Sequence, residues 1–586
     1  MYHTQSFAML EKCSTLREAY HDFKDSNLTV HYFDGTTKIF EAPCPVRLLL
    51  DKYLNKESKF AIVGALVNNE LMGMDELVFT NVLTIAPVLL NTSIGAQIYR
   101  RSLQFLLSMA VNRVFPKRRL VIGHSLGSGI YFEFQEDPIE SLTEDEIQKI
   151  QAEMELIVKS DFPITRRRIA WTEAVDHFTA IGQEQTMMLV AQHNRPYVPI
   201  VVCDGFIDIW HGPHVGSTSI LSQFELKLYG TEHGFLLRYP RSADPTCVPE
   251  FKDMPKIFET FKESKYRGKV LGVRCVGDLN RLIGRATKGE LQSYIHVSEA
   301  LHERQLVAVA EKIVTCPSVH LVLIAGPSSS GKTTFARKLC VQLQVFGKQP
   351  QCISLDDFYV NRDKMPKDEK GDYDFEAVEA LDLPFLNEFL LKLLRGEIVT
   401  LPKFDFKTGT RKEGKQMQLS ISAIIVMEGI HGLNDRLTAM IPQEQKYKIF
   451  ISALTQLNLD DHNRIPTTDN RLLRRLVRDF QFRGLSGEET LMRWPSVRAG
   501  EEKYIFPHQG NADFIFNSAL DYELAALKVI AEPLLKNIRP TTPVYHEALR
   551  LLSFLQNFDP IPHKYIPDCS ILREFIGDSP YHPDDH

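Results

Sequence analysis

Apolar residues dominate positions 319–325, and this segment is long enough to form one buried strand. A helical pattern at 333–346 follows shortly after it and ends before Gly347, a residue suited to a helix C-terminus. Two further short strands are predicted at 353–355 and 423–428. Strands that alternate with helices are typical of an α/β domain with a parallel sheet.

The N-terminal half shows shorter and more mixed patterns. Residues 27–90 alternate strand-like runs with turns, which predicts a small α+β module. A helical stretch near 94–114 opens a region of mixed helix and strand signals, whereas 250–312 is charged and mostly helical, as in a connector. We therefore divide the chain into an extension, an α+β module, a mixed region, a connector, an α/β domain and a tail, at 1–26, 27–90, 95–245, 250–312, 318–560 and 561–586.

Composition and charge are those of an ordinary globular protein. The 586 residues are 44% hydrophobic and 24% charged, and this length accommodates about three or four domains. The net charge of −6 disfavours a general nucleic-acid binder, and basic runs at 117–119 and 166–168 are more typical of solvated faces. Nine cysteines without a CxxC pair predict a reducing compartment without zinc or disulfides. Because no apolar run reaches membrane-spanning length, we expect a cytoplasmic protein without a membrane partner.

The segment between the first strand and its helix carries the pattern of a phosphate-binding loop. It reads G-x-x-x-x-G-K-T, in which glycines let backbone N–H groups surround phosphates. We expect Lys332 to reach the β- and γ-phosphates and Thr333 to offer a hydroxyl to Mg²⁺ at the positive end of the helix. A chance glycine-rich turn is the alternative, which the flanking strand and helix disfavour. The predicted site for ATP, or another nucleoside triphosphate, with Mg²⁺ comprises Gly326, Ser328, Ser329, Ser330, Gly331, Lys332, Thr333 and Thr334.

Two acidic residues stand at the ends of the next predicted strands. Asp356 follows the strand at 353–355, and Glu428 ends the strand at 423–428. Since the carboxyl ends of parallel strands form the ligand crevice of an α/β fold, both carboxylates can face bound phosphates. Asp356 is the candidate general base for an acceptor hydroxyl, and both acids are candidates for the Mg²⁺ site. A helix N-cap is the alternative role for Asp356.

Five arginines are spaced mostly by three and four residues along one predicted helix and its end. This spacing places several guanidinium groups on one face, where they can clamp phosphates and stabilise the charge of a transition state. A surface stripe of salt bridges is the alternative. The run comprises Arg471, Arg474, Arg475, Arg478 and Arg483, and Arg475, Arg478 and Arg483 join Lys332 and Asp356 as predicted catalytic residues.

Six motifs, in their order and spacing, resemble the uridine kinase/phosphoribulokinase family. They are GPSSSGKT, ISLDDFY, GDYDFE at 371–376, LPKFDF at 401–406, VMEGIHGL and RRLVRDFQFRG. The resemblance covers about 318–530 and implies that Asp356 is the general base, with Thr333 and Glu428 at Mg²⁺. It also implies a small-molecule nucleoside acceptor, or a related one, held by Tyr359, Phe375, Glu376, Phe404 and Arg475.

Two positions depart from the pattern of that family. Where pyrimidine kinases have a histidine that reads the base, this chain has Gly409, which leaves the base specificity open. A further arginine expected just after the Arg-Gly pair is Leu485 here, although Arg493 lies nearby in the sequence.

The N-terminal half resembles a different family. Residues 27–90 are similar to a TGS domain, and 95–245 are similar to the second additional, editing domain of threonyl-tRNA synthetase, notably in IGHSLGSGIYFEF and IDIWHGPH. The editing centre of that family is an HxxxH pair and a CxxxH pair. One of those four side chains is retained, so the resemblance implies binding of RNA or a regulatory ligand without zinc or hydrolysis. The corresponding positions are Arg101, Phe105, Trp210 and His214.

A G-x-S-x-G pattern at 123–127 is also typical of the nucleophile elbow of α/β-hydrolases. Such an elbow lies between a strand and a helix, whereas the residues that follow it here, 130–134, predict a strand. The esterase interpretation is therefore disfavoured.

Together the motifs predict an α/β P-loop NTPase fold, with a mostly parallel sheet flanked by helices, preceded by α+β TGS-like and synthetase-editing-like domains. The predicted function is ATP-dependent phosphorylation of the 5′-hydroxyl of uridine or a related nucleoside. Two alternatives stay open: a kinase for another hydroxylated metabolite, and an RNA-linked regulatory protein that uses the P-loop as a nucleotide switch. The acceptor-side residues favour a kinase over a switch. The sequence leaves the phosphate donor and the oligomeric state open.

Overall fold

The structure is a computed structural model that describes residues 27–581, apart from 55–58, 136–140, 193, 232, 286, 368–370, 372, 375, 406–407 and 421. The extension at 1–26 and the predicted substrate-binding residue Phe375 lie outside the described residues. Among the residues described, no helix combines the length and the apolar character needed to cross a lipid bilayer.

Up to residue 245, the described chain contains short strands, three longer helices and several helical turns. The elements in chain order are β1 (Asn27–His31), β2 (Thr37–Glu41), β3 (Cys44–Pro45), α1 (Val46–Leu49), α2 (Asp51–Leu54), β4 (Ile62–Val67), β5 (Glu70–Met72), β6 (Leu77–Val78), β7 (Ile85–Leu89), α3 (Ser93–Val114), β8 (Leu120–Leu126), β9 (Gly129–Phe134), α4 (Glu144–Ser160), β10 (Thr165–Ala170), α5 (Trp171–Ala180), α6 (Glu184–Ala191), β11 (Tyr197–Cys203), β12 (Phe206–Ile209), β13 (Glu225–Leu228) and β14 (Gly234–Arg238).

Beyond residue 245, helices and strands alternate more regularly. The elements are α7 (Pro255–Leu271), α8 (Val276–Arg285), α9 (Lys288–Val314), β15 (Leu321–Ala325), α10 (Lys332–Val345), β16 (Gln349–Ser354), α11 (Leu383–Leu394), β17 (Val399–Asp405), β18 (Thr410–Met417), β19 (Ala423–Glu428), β20 (Lys446–Ser452), α12 (Thr467–Arg483), α13 (Gly487–Tyr504), β21 (Phe514–Asn517), α14 (Glu523–Lys536), α15 (Tyr545–Leu555) and α16 (Arg573–Ile576).

The chain divides into two compact units, each of which combines separate stretches of sequence. Of the described residues, unit 1 contains those within 27–253, 458–464 and 536–557, and unit 2 contains those within 254–457, 465–535 and 558–581. Helices α7 to α9, which the sequence suggested as a connector, therefore belong to the same unit as the P-loop, where α9 packs against α10. The suggested tail at 561–586 also belongs to unit 2.

A five-stranded parallel sheet, ordered β16-β19-β15-β20-β21, forms the centre of unit 2. All residues of β15 are buried, which explains why this strand reads as a continuous apolar run. Helix α10 connects β15 to β16, as expected for parallel strands of one sheet, which need a crossover connection. The predicted α/β fold with a mostly parallel sheet is confirmed.

Unit 1 is built from small antiparallel sheets with helices, which confirms the predicted α+β character. Helices α3 and α4 share one hydrophobic core with the sheet β13-β14-β9-β8, through residues such as Leu106, Met154 and Phe132. The G-x-S-x-G segment lies on the hairpin that joins β8 to β9, with Gly127 at its tip. Because a second antiparallel strand follows it and no helix, the segment is not a nucleophile elbow.

The stretch 458–464 follows a strand of unit 2 in sequence but is held within unit 1. Asp461 is buried and accepts hydrogen bonds from Arg119 Nε at 2.9 Å and from the backbone N–H of Thr186 at 2.9 Å. His462 Nδ1 lies 2.7 Å from Asp208 Oδ2. These buried polar contacts explain why seven residues inside the suggested α/β domain, 318–560, belong to unit 1.

Candidate active site

The P-loop joins the end of β15 to the start of α10. Gly326 passes so close to β20 that a Cβ atom there would lie 2.2 Å from the carbonyl oxygen of Ile451. A side chain at this position would therefore push the loop away from the sheet. Lys332 begins the helix and its Nζ donates to the carbonyl oxygen of Pro327 at 3.1 Å, so the ammonium group folds back over the loop. The first turn of α10 points its N–H groups at the same place.

Two carboxylates stand beside the P-loop, at the ends of neighbouring strands. Glu428 ends β19 and pairs in register with Ile324 of β15 and Ser354 of β16, and Asp356 follows β16 by two residues. Thr333 Oγ1 donates to Glu428 Oε1 at 3.4 Å. The three side chains predicted for the metal site thus come from the strand ends and helix start that face each other across the edge of one sheet.

Burial and mutual repulsion govern the ionisation of these acids. Burial and the negative charge of Asp356 raise the pKa of Glu428 to about 7, against the opposing charge of Lys332. The Asp356 side chain is reached by solvent, yet the surrounding protein atoms desolvate it enough to raise its pKa, again against Lys332. Desolvation in turn lowers the pKa of Lys332. A divalent cation would relieve the repulsion between the two carboxylates.

The donor set at this position suits Mg²⁺. A threonine hydroxyl and carboxylates are hard oxygen ligands, and Mg²⁺ in kinase sites is held by one or two carboxylates together with substrate phosphates. Within the described part of the chain, no cluster of three or more histidine, cysteine, aspartate or glutamate side chains forms an all-protein metal cage. Thr333 and Glu428 therefore fit a metal that binds together with the nucleotide.

Two arginines of α12 are buried and brace the P-loop by contacting its backbone. Arg471 Nε donates to the carbonyl oxygen of Ser328 at 2.9 Å and pairs with Glu501 of α13, which itself accepts the N–H of Ser328 at 2.9 Å. Arg474 pairs with Glu523 of α14 and donates to the carbonyl oxygen of Ser329 at 3.4 Å. Both guanidinium groups therefore hold the backbone of the P-loop in its conformation.

The other three arginines of the predicted phosphate clamp surround one buried carboxylate, Asp479. Arg475 Nε, Arg478 Nη2 and Arg483 Nη1 lie 3.1, 3.0 and 3.4 Å from its oxygens. Arg475 Nη1 also donates to Ser328 Oγ at 2.8 Å, which brings this group to the P-loop. Burial, with repulsion from Arg478 next, lowers the pKa of Arg483 to about 10. The cluster carries more positive than negative charge and suits a phosphate ligand.

Aromatic and acidic side chains predicted for the acceptor lie near Asp356. The rings of Tyr359 and Phe404 are 5.5 Å apart, and Asp357 accepts the N–H of Phe404 at 3.2 Å. Burial raises the pKa of Tyr359, and the charges of Asp356 and Glu376 raise it further. Burial also raises the pKa of Glu376, against the charge of Lys332. Tyr359, Asp356 and Glu376 are therefore close enough for their charges to affect one another's pKa.

Gly409, which stands where pyrimidine kinases have a histidine, has a structural reason to be glycine. It lies between β17 and β18 with φ of +70°, a backbone conformation that side chains disfavour. A Cβ atom there would approach Arg362 Nε to 2.6 Å. The carbonyl oxygen of Gly409 accepts the N–H of Arg362 at 2.9 Å, so this arginine occupies the space beside the turn.

Sequence reasoning missed four acidic residues of this region. Asp479, Glu501 and Glu523 hold the arginines, and Glu574 of α16 accepts both the N–H and the hydroxyl of Thr334, at 3.2 and 2.6 Å. Asp479 could have been inferred from its spacing of four residues from both Arg475 and Arg483. The other three lie far from their partners in sequence, and no local pattern marks them.

The four positions that the synthetase resemblance assigns to an editing centre lie in unit 1. Arg101 Nη1 donates to the carbonyl oxygen of Pro213 at 2.9 Å, and the ring of Phe105 packs edge-on against His214 at 5.7 Å. Desolvation and the nearby charge of Arg101 lower the pKa of His214 to about 3, so this histidine is neutral. Arg101, with its positive charge, and Phe105, with its apolar ring, offer no ligand to zinc.

A cavity of about 640 Å³ in unit 1 has two of these positions, Trp210 and His214, in its lining. Three consecutive arginines of β10, Arg166 to Arg168, also line it, together with the acids Asp75 and Glu76. The Arg166 guanidinium lies 3.8 Å from the centre of the Trp210 ring and 2.9 Å from Glu76. The arginine run is thus at a cavity and not only on a solvated face.

Comparison with known proteins finds similarity to one family in the C-terminal part of the chain and to another in the N-terminal half. Residues 321–525 match the family described as Phosphoribulokinase / Uridine kinase family. A solved structure titled as a possible uridine kinase from Bacillus stearothermophilus is 19% identical, covers 36% of this chain and 98% of its own, and gives a TM-score of 0.24.

The curated relatives match a different part of the chain. Threonine–tRNA ligase of Desulfovibrio desulfuricans is 31% identical over 185 residues, which is 31% of this chain and 28% of the ligase. The ligase of Carboxydothermus hydrogenoformans is 38% identical over 133 residues, 22% of this chain and 21% of the ligase. The chain thus spans under a third of the length of these two relatives. It joins an N-terminal half similar to threonine–tRNA ligases to a C-terminal segment that matches the phosphoribulokinase/uridine kinase family.

Proposed function

We propose that this protein is an ATP- and Mg²⁺-dependent kinase that phosphorylates the 5′-hydroxyl of uridine or a related nucleoside. The observation that carries the proposal is the meeting of the P-loop, Asp356 and Glu428 at the ends of adjacent parallel strands, with Thr333 beside Glu428. Family membership of residues 321–525 supports the same class of reaction. A regulatory switch would need the P-loop but would not need the acceptor-side residues.

In the proposed reaction, the acceptor oxygen attacks the γ-phosphorus while the bond from that phosphorus to the β-γ bridging oxygen breaks, releasing ADP. Asp356 accepts the proton of the acceptor hydroxyl. Thr333 and Glu428 would hold Mg²⁺, which neutralises charge on the phosphates. Lys332 and the P-loop N–H groups hold the phosphates, and Arg475, Arg478 and Arg483 stabilise the charge that develops on the transferred group.

The acceptor side favours a nucleoside among hydroxylated metabolites. Tyr359 and Phe404 offer aromatic surface to a planar base, and Glu376 offers a carboxylate to ribose hydroxyls. Because Gly409 offers no side chain to read the base, we expect discrimination between uridine and other nucleosides to be weak at this position. A kinase for another hydroxylated metabolite is the competing proposal.

The test is a screen of nucleosides and sugars with the full chain, measured as acceptor-dependent ADP release with Mg²⁺ present. We expect uridine or cytidine to stimulate release, and Lys332→Ala to abolish the stimulation, because this change removes a charge from both the ground state and the transition state. A sugar as the best acceptor would support the competing kinase. ATP binding without transfer to any acceptor would favour a nucleotide switch.

For unit 1 we infer binding of an anionic ligand, such as the end of an RNA, without hydrolysis. The arginine-lined cavity with an aromatic side chain supports this inference, because guanidinium groups and aromatic faces bind phosphates and bases. The test compares tRNA binding by the wild type, by Arg167→Gln/Arg168→Gln and by Lys149→Gln/Lys159→Gln, which removes equal charge from exposed positions of α4. We expect only the arginine variant to lose binding, whereas equal losses would indicate nonspecific attraction.

A further inference from the structure

The last helical turn of unit 2 belongs to a segment, 570–577, that we name the C-terminal strap. Its apolar side chains Ile571, Leu572, Phe575 and Ile576 are at most 5% exposed. The Arg474 guanidinium lies 4.9 Å from the centre of the Phe575 ring. Arg573 donates to the carbonyl oxygen of Ile566 at 2.6 Å, within the same part of the chain. The strap is therefore packed in place beside the helix that braces the P-loop.

One carboxylate of the strap reaches the start of the P-loop helix. Glu574 Oε2 accepts the backbone N–H of Thr334 at 3.2 Å and its hydroxyl at 2.6 Å. Thr334 lies in the first turn of α10, where N–H groups have no partner within the helix. The strap also approaches the loop itself, since a Cβ atom on Gly331 would lie 2.7 Å from Ile571 Cδ1.

The groups that Glu574 engages are of the kind that bind phosphates. Backbone N–H groups and hydroxyls at the start of a P-loop helix cradle the α- and β-phosphates of a nucleotide. A carboxylate oxygen presents the same acceptor chemistry as a phosphate oxygen, and it carries the same sign of charge. Glu574 and a nucleotide phosphate therefore compete for Thr334, and each repels the other.

We propose that the C-terminal strap is an autoinhibitory element in which Glu574 occupies a phosphate position of the P-loop until a nucleotide displaces it. The proposal rests on the proposed nucleotide site and concerns its regulation. Binding of ATP or ADP would free the Glu574 carboxylate from Thr334 and loosen the strap. A signal that holds the strap in place would lower the affinity for nucleotide without changing any catalytic group.

A purely structural role makes the opposite prediction. If Glu574 only caps α10, its removal weakens the P-loop helix and lowers nucleotide affinity. If it competes with phosphate, its neutralisation raises affinity. Glu574→Gln keeps the size of the side chain and removes its charge, so this variant separates the two roles. Asp578→Asn is the matched control, because Asp578 is an exposed acid next to the strap that faces Arg573 at 3.6 Å.

The experiment measures the Kd of Mg²⁺-ADP for the full chain by calorimetry. We expect Glu574→Gln to bind about tenfold more tightly than the wild type, as the removal of a like charge at close range predicts, and Asp578→Asn to stay within about twofold. Unchanged or weaker binding by Glu574→Gln would overturn the strap proposal while leaving the kinase proposal intact. Failure of both the wild type and Glu574→Gln to bind any nucleotide would overturn both proposals.

Hydrogen exchange gives an independent readout on the wild type. Saturation with Mg²⁺-ADP is expected to increase amide exchange within 570–577, because the strap loses its contact with Thr334. Lys332→Ala, which weakens nucleotide binding, serves as the control at the same nucleotide concentration. Equal or slower exchange of the strap in the complex would contradict displacement.

Discussion

The P-loop site of unit 2 and the arginine-lined cavity of unit 1 differ in the chemical groups that each brings together. In unit 2, Lys332, Thr333, Asp356 and Glu428 converge at the edge of one sheet. In unit 1, His214 is the one histidine or cysteine among the four positions that the synthetase resemblance assigns to an editing centre, and Phe105 and Arg101 lie near it. The first site brings together groups that suit phosphoryl transfer, whereas Arg101, Phe105 and Trp210 in the second offer no zinc ligand.

The difference shows that packing and chemistry are separable properties of a fold. The core of unit 1, around α3 and the β8–β9 hairpin, needs only apolar residues of suitable size, and those residues are present. Hydrolysis needs particular donors at particular places, and Arg101 and Trp210 cannot supply them. Similarity to a family is therefore better evidence for the fold of unit 1 than for its activity.

The most severe test of the complete site is Asp356→Asn, which removes the proposed proton acceptor and keeps the size of the side chain. We expect kcat to fall by about 10²–10⁴, with ATP affinity largely retained, since no phosphate contact is lost. Asp357→Asn is the control, because Asp357 accepts a backbone N–H from Phe404 and takes no part in the proposed proton transfer. Near-normal kcat in Asp356→Asn would remove the general base from the mechanism.

A second test asks whether the buried arginines build the site or act in it. Arg474→Met leaves Glu523 buried without its cation and is expected to lower the free energy of unfolding by about 3–5 kcal/mol in urea titrations. Adding Glu523→Gln to the same protein should restore a large part of the loss, because both charges are then absent. A double variant as unstable as Arg474→Met would show that the loss comes from packing and not from the unpaired charge.

The ionisation of Glu428 provides a third test, in the protein without nucleotide or Mg²⁺. The folded state raises the pKa of this carboxyl to about 7, so the neutral form is favoured. The resulting stabilisation is fully present below the ordinary glutamate pKa and is lost as the pH rises through about 7. Glu428→Gln, which stays neutral, should therefore melt a few degrees higher than the wild type at pH 8 but not at pH 4.5.

The same substitution should also change the Mg²⁺ requirement of nucleotide binding. Glu428→Gln should need more Mg²⁺ for half-maximal nucleotide binding, because a metal-positioning charge is missing. A Mg²⁺ titration that matches the wild type would show that Glu428 does not face the metal. Equal melting temperatures of the variant and the wild type at both pH values would show that folding does not raise the pKa of Glu428.

The smallest expected effects concern unit 1. The full chain should release no serine from Ser-tRNA, because Arg101, Phe105 and Trp210 supply neither a base nor a metal ligand and leave His214 alone at the four positions. His214→Ala should leave kinase turnover within about twofold, whereas an authentic synthetase serves as the positive control for the release assay. Measurable deacylation that His214→Ala abolishes would show that this cavity has kept a chemistry of its own.

Local signals explain which parts of the site could be read from the sequence. The P-loop, Asp356 and Glu428 stand at junctions of strand and helix, where an apolar run ends and a polar group follows, so a few neighbouring residues define them. Glu574 and Glu523 become part of the site only through contacts across long stretches of chain. The packing of Arg362 beside Gly409 is likewise visible only in three dimensions.

The placement of 458–464 in unit 1 affects the order in which this protein can be made. During synthesis, the nascent unit 1 lacks the carboxylate of Asp461 for Arg119 and the imidazole of His462 for Asp208 until the ribosome has passed those codons. The segment 536–557 arrives later still. Unit 1 therefore completes its folding only when most of unit 2 has been translated, and a single cut in the chain cannot yield either unit whole.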